Sequence, residues 1–177
     1  YIHGAGAGSK ERILAIADEL TEGGISVLSF DQSGFGGDPE QLASSSLERR
    51  TAEALEAAKL LPAGPCTVLG SSMGAYVALK LLGKIDIKTL ILMYPAVYAA
   101  KAFSVPFGSG FREIIREPNS WQDTDILENL RAFTGKLLII IGTEDETIPE
   151  GVIDLLEANS PNVSVKETIR VPGAPHQ

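Results

Sequence analysis

A chain of 177 residues suits one domain, and 44% hydrophobic with 21% charged residues is the balance of a soluble protein that buries an ordinary core. The formal net charge of −8 argues against a nucleic-acid partner, and no stretch reaches the roughly 20 apolar residues of a membrane span. Cys66, the single cysteine, excludes an internal disulfide framework and a cysteine-rich zinc site, and agrees with a cytoplasmic setting.

In chain order, residues 10–22 carry Ile13, Leu14, Ala17 and Leu20 at helical spacing, and Gly23-Gly24 closes that helix. Residues 25–30 read as a buried strand. It leads into the loop Asp31-Gln32-Ser33-Gly34-Phe35-Gly36-Gly37-Asp38-Pro39. Ser45 with Glu48 three residues on has capping-box spacing and opens a second helix. Leu47, Ala54, Leu55, Ala58 and Leu61 face inward there, and Pro62 and Gly64 stop it. Residues 66–69 form a short apolar strand that turns through Gly70-Ser71-Ser72-Met73-Gly74 into a helix. Further strands are expected at 89–94, 136–141 and 163–169. A helix from Pro149, with Val152, Ile153, Leu155 and Leu156, separates the last two. Strands rich in Val, Ile and Leu, alternating with amphipathic helices, specify an α/β fold: a mostly parallel sheet with helices on both faces.

Residues 95–121 break this rhythm. Aromatic side chains crowd the segment and its border: Tyr94, Tyr98, Phe103, Phe107, Phe111 and Trp121. It follows a strand at the point where crevices open in such sheets, so it reads as a lid or pocket-forming insertion within a single domain spanning residues 1–177. Phe35, Tyr98, Phe103 and Phe107 are the candidate substrate contacts.

Gly70-x-Ser72-x-Gly74 between a strand and a helix carries the strongest chemical signal. A tight strand-to-helix turn exposes the serine hydroxyl at the top of the sheet, and glycines at two before and two after relieve the crowding. The helix N-terminus beneath favours negative charge developing on a substrate oxygen. A serine needs a base to take its proton. The chain has two histidines, His3 and His176. His176 follows both the serine and the carboxylate cluster in the chain, whereas His3 precedes them, and His176 is the candidate base. Glu144, Asp145 and Glu146 cluster after the 136–141 strand. Asp145 is the preferred orienting carboxylate, with the two glutamates as alternatives.

Five motifs in order resemble the α/β-hydrolase superfamily: His3-Gly4-Ala5-Gly6, Asp31-Gln32-Ser33-Gly34-Phe35-Gly36, Gly70-Ser71-Ser72-Met73-Gly74, Gly142-x-x-Asp145-x-x-Ile148-Pro149 and Gly173-x-x-His176. The likeness is greatest to the small lipase, esterase and serine-aminopeptidase-like branch. It implies a serine hydrolase acting on a small-molecule acyl ester or thioester, with Ser72 as nucleophile, Asp145 as acid and His176 as base. It implies an oxyanion hole from the Ala5 and Met73 N–H groups, and neither cofactor nor metal. Family members carry strands before the His-Gly motif and a helix after the histidine, so the chain is expected to lack the first strands and the last helix of the fold. Ser72 argues against dehalogenases and epoxide hydrolases, which place Asp at the elbow. Acyl transfer with the same residues and a non-catalytic ligand-binding role are the remaining alternatives.

Overall fold

Four strands pair in parallel in the spatial order β1 (Cys66–Ser71), β2 (Ile87–Met93), β3 (Lys136–Glu144) and β4 (Val165–Pro175). The computed structural model describes residues 1–176. Six α-helices accompany the strands: α1 (Leu14–Glu22), α2 (Leu47–Ala58), α3 (Met73–Lys80), α4 (Phe111–Arg116), α5 (Leu127–Ala132) and α6 (Glu150–Ala158). Among the described residues no helix is long and apolar enough to cross a membrane.

Strand alternation assigns the two faces of the sheet. Val68, Leu90, Leu92, Leu137, Ile139 and Ile141 are neighbours in register and all buried. α3 packs on this face against β1 and β2, with α2 and α5 beside it. α6 covers the β4 end of the same face, where its Glu157 accepts from Thr168, the register neighbour of Ile139. Leu47, Tyr76, Leu79, Leu130, Ile153 and Leu156 of these helices join the same core. The opposite face carries Leu69, Met93 and Ile140. There α1, with the 3-10 turn Lys10–Ile13 before it, flanks a groove of about 550 Å³ that also touches Val171 and Ala174. The α/β fold with helices on both faces is therefore the observed one.

Four local expectations are corrected. Residues 25–30 are extended but form no strand: Ile25 is 55% exposed, and residues 1–3 lie between this segment and β1. Ile2 pairs with β1, through Ile2 N to Leu69 O and Ser71 N to Ile2 O, whereas the segment itself receives from residues 1–3 one bond, the Tyr1 ammonium donating to Leu28 O at 2.7 Å, too little for a ladder. The expected helix begins as the 3-10 turn Lys10–Ile13, and Ile13 of that turn and Ala17 of α1 are buried while Leu14 is 57% exposed. The N-cap of α2 is Ser46, whose hydroxyl accepts from Arg49 N at 3.1 Å. Ser45 is instead held by the turn before it, its N–H donating to Gln41 O. The insertion is not formless: it holds the 3-10 turn Ala100–Ala102, α4 and a second turn at Ser120–Asp123.

Backbone bonds dock that insertion onto the start of α2. Glu48 N donates to Phe103 O, Phe107 N to Ser45 O and Gly108 N to Ala43 O, each at 2.9 Å. The first of these satisfies an N–H that a helix N-terminus leaves without an internal acceptor.

Candidate active site

β1 ends at Ser71 and α3 begins at Met73, so Ser72 alone makes the turn between them. Its backbone sits at φ 51° and ψ −119°, a conformation that a side chain rarely adopts. Two close approaches enforce it. A Cβ on Gly70 would lie 2.4 Å from Gly74 O, and one on Gly74 would lie 2.2 Å from Ile2 O. Ser72 N donates to Met93 O at 2.9 Å, and Ser72 O accepts from Ala75 N and Ala96 N. The strained residue is thus tied to β2, to α3 and to the chain beyond β2.

The Ser72 hydroxyl donates to His176 Nε2 at 3.1 Å, and His176 Nδ1 donates to Asp145 Oδ2 at 2.9 Å. The carboxylate can only accept, so it places the ring proton on Nδ1 and leaves Nε2 free to receive. Asp145 Oδ1 takes the N–H groups of Thr147 at 2.9 Å and Ile148 at 3.0 Å. The Asp145 side chain is 0% exposed. Of the three adjacent carboxylates it is Asp145 that meets the imidazole: Glu144 ends β3 opposite Pro175, and Glu146 is exposed. Gly173 N donates to Thr143 Oγ1 at 2.8 Å, which ties the acid-bearing loop to the histidine-bearing strand.

Gly4 abuts the serine: a Cβ there would lie 2.9 Å from Ser72 Cβ. The exposed Ala5 follows directly. His3 fixes this loop from below. It is fully buried, its Nε2 accepts from Gln32 N at 3.1 Å, and its Nδ1 donates to Gly4 O at 2.7 Å. Burial pushes its pKa down, and the nearby Arg50 adds to that, so the ring is neutral. Gln32 Nε2 also donates to His3 O. Met73 stands at the first position of α3, where an N–H has no intrahelical acceptor.

The four aromatic candidates separate. Phe35 lies edge-on to His3 at 4.7 Å, and both Phe35 and Phe107 lie 4.7 Å from the Arg50 guanidinium. Tyr98 packs on Tyr76, one turn into α3, and on Phe111. Phe103 meets Lys80 Nζ at 4.2 Å, at the far end of α3.

Two neighbours of the site were not identified from the sequence. Tyr94, at φ 38°, places its ring 5.0 Å from that of His176 at 70°, and burial raises its pKa. Its position directly after a strand was the available signal. Arg50 gave no signal, because one arginine within a charged helix reads as solvated.

No curated protein sequence matches the chain. Solved structures do match in shape. The monoacylglycerol lipase of Paleococcus ferrophilus superposes with a TM-score of 0.71 at 18% identity, covering 99% of this chain and 84% of that one. Est1E of Butyrivibrio proteoclasticus, solved with ferulic acid, gives 0.71 at 20% identity, with 99% and 79% covered. TT1662 of Thermus thermophilus gives 0.65 at 22% identity, with 99% and 78% covered. At such identities these likenesses establish the fold. The sequence pattern of the family described as serine aminopeptidase, S33, matches residues 1–117. The chain belongs to the serine aminopeptidase S33 family, a hydrolase family within the α/β-hydrolase superfamily.

Proposed function

We propose that the chain is a serine hydrolase that cleaves a carboxylic ester or thioester through an acyl-enzyme on Ser72. The observation that carries this reading is the unbroken relay from Ser72 through His176 to the buried Asp145, with bonds of 3.1 Å and 2.9 Å. Ser72 Oγ attacks the carbonyl carbon while His176 Nε2 takes its proton, and Asp145 stabilises the resulting imidazolium. The carbonyl electron pair moves onto oxygen, facing the N–H groups of Met73 and Ala5. Each such donor lowers the barrier by roughly 3 kcal/mol. The imidazolium returns its proton to the leaving alcohol or thiol. Water, deprotonated by His176, then opens the acyl-enzyme and regenerates Ser72.

The chain works as one domain, residues 95–121 acting as a lid over an apolar acyl pocket. Docking of Phe103, Phe107 and Gly108 on the start of α2 supports that role. Phe35, Tyr98 and Phe107 are the proposed acyl contacts, while Phe103 anchors the lid. Lipase and esterase among the structural neighbours favour an acyl ester as substrate.

Intact mass after exposure to a fluorophosphonate tests the reading. One adduct is expected on the wild-type chain and none on Ser72→Ala. A series of p-nitrophenyl esters then ranks acyl length, and an aminoacyl anilide tests the peptidase activity in the family's name. A folded chain that stays unlabelled is not a serine hydrolase.

A further inference from the structure

Arg50, in the first turn of α2, points inward. It lies on the same helix face as Leu47, Thr51 and Ala54, and its side chain is 0% exposed. Phe35 and Phe107 flank the guanidinium, and Nη1 donates to Met73 Sδ at 3.0 Å. Nε and Nη2 are buried without a partner. Among the described residues no carboxylate forms an ion pair with Arg50. Glu53, one turn on, is engaged by Ser33 and Arg49 instead. Burial draws the guanidinium pKa down to about 10, which leaves it cationic at neutral pH.

A buried cation without an ion pair opposes folding even with the Glu53 charge nearby, and leucine or methionine would pack there without that penalty. Local choices that work against stability concentrate at functional sites. The surroundings of Arg50 name one. Met73 is the residue after Ser72. From bond lengths, a methionine spans about 5 Å between its N and Sδ, so the guanidinium lies within about 8 Å of the Met73 N–H. On its other side Phe35 connects it to His3, which carries Gly4 and Ala5. The charge therefore stands behind both proposed oxyanion donors. The aromatic rings of Phe35 and Phe107 and the Met73 thioether surround the charge, which acts strongly across so weakly polar a medium.

Resting on the acyl-enzyme reading above, we propose that Arg50 is a positioning residue for catalysis: a buried positive charge that stabilises the oxyanion formed at Ser72 through space, without touching substrate. The neutral carbonyl of bound substrate gains little from such a charge, whereas the oxyanion gains much. The effect therefore falls on kcat and not on KM.

The experiment compares the full chain with Arg50→Met, Arg50→Gln and Arg50→Lys. It reads the rate of fluorophosphonate labelling at Ser72, kcat and KM for a short acyl ester, and Tm. Arg50→Met and Arg50→Gln are expected to lower kcat and labelling rate about tenfold or more, with KM within about twofold. Arg50→Met should melt at or above the wild-type temperature, because an apolar side chain relieves the buried charge. Arg50→Lys should recover part of kcat. Wild-type labelling combined with undiminished kcat in the Met and Gln variants would overturn the role of Arg50 and leave the nucleophile standing. An equal loss in all three variants, tracking a lowered Tm, would assign Arg50 to packing and overturn it too. If the Met variant does not fold, the Lys and Gln variants decide by whether their kcat values differ. A wild-type chain that does not label removes the acyl-enzyme and this role together.

Discussion

Asp145 holds His176 with one carboxylate oxygen while the other oxygen is itself held: Oδ2 accepts from His176 Nδ1 at 2.9 Å, and Oδ1 accepts from the Thr147 and Ile148 N–H groups. Two backbone donors fix the carboxylate plane, and the carboxylate fixes the imidazole tautomer. Asp145→Asn puts an amide N–H where only an acceptor serves and favours the wrong tautomer. The expected loss is about 10³–10⁴-fold in kcat with little change in KM, measured by steady-state ester hydrolysis. A loss below about tenfold would show that the imidazole does not depend on this partner.

Gly74 leaves no room for a methyl group. Its Cβ would lie 2.2 Å from Ile2 O and 2.5 Å from His3 O, both backbone atoms that cannot swing aside. Gly74→Ala must push residues 2–3 away from the elbow. A stability loss of about 2–4 kcal/mol is expected in urea denaturation, and loss of labelling at Ser72 should accompany it.

His3 gives stability a pH dependence. Its pKa is lowered in the folded chain, so the unfolded chain binds the proton first as pH falls. The contribution of His3 is complete above its unfolded value, about 6.5, and is lost as pH falls through the lower folded value. The stability difference between wild type and His3→Gln should shrink from pH 7 to pH 5, read by denaturant titration. A constant difference would mean that burial of a neutral ring is not what His3 supplies.

Asp125 joins two elements of α3 to the segment after the insertion. Tyr76 donates to its Oδ1 at 3.1 Å and Lys80 to its Oδ2 at 2.8 Å. Tyr76 is fully buried, and burial followed by the Asp125 charge drives its phenol pKa well above the ordinary value. Asp125→Ala strands that hydroxyl. The expected cost is about 1–3 kcal/mol, and Asp125→Ala combined with Tyr76→Phe should cost less than the sum of the two single changes.

The sequence revealed those parts of the site that local chemistry dictates. Ser72 was legible because a hydroxyl on a sharp turn demands glycine on both sides. Asp145 and His176 followed from chain order and from the acceptor and base that a serine requires. The contact of Phe103 with Lys80 was not legible, because aromatic content says nothing about which end of α3 a ring meets. Arg50 was invisible for the opposite reason: its neighbours Phe35, Met73 and Phe107 come from three separate elements and meet only in the folded chain. The segment 25–30 has the composition of a strand, yet a strand exists only where a neighbour supplies a ladder, and residues 1–3 supply one bond, from the Tyr1 ammonium to Leu28 O. Ser45 and Ser46 are chemically equivalent caps, and a turn bond from Ser45 N to Gln41 O together with a tertiary bond from Phe107 N to Ser45 O chose between them.

The strand that delivers His176 has a single neighbour. β1 and β4 are the two outer strands of the described sheet, but β4 leaves Val165 and Ile169 substantially exposed, while β1 is bridged by Ile2 and leads through Ser72 into the buried helix α3. His176 and Ser72 therefore belong to regions of unequal local stability. Peeling β4 from β3 would break the relay while α3, β1 and β2 kept their packing. Under mild denaturant, activity should disappear before helical signal does, and the spent protein would regain turnover on dilution without refolding as a whole.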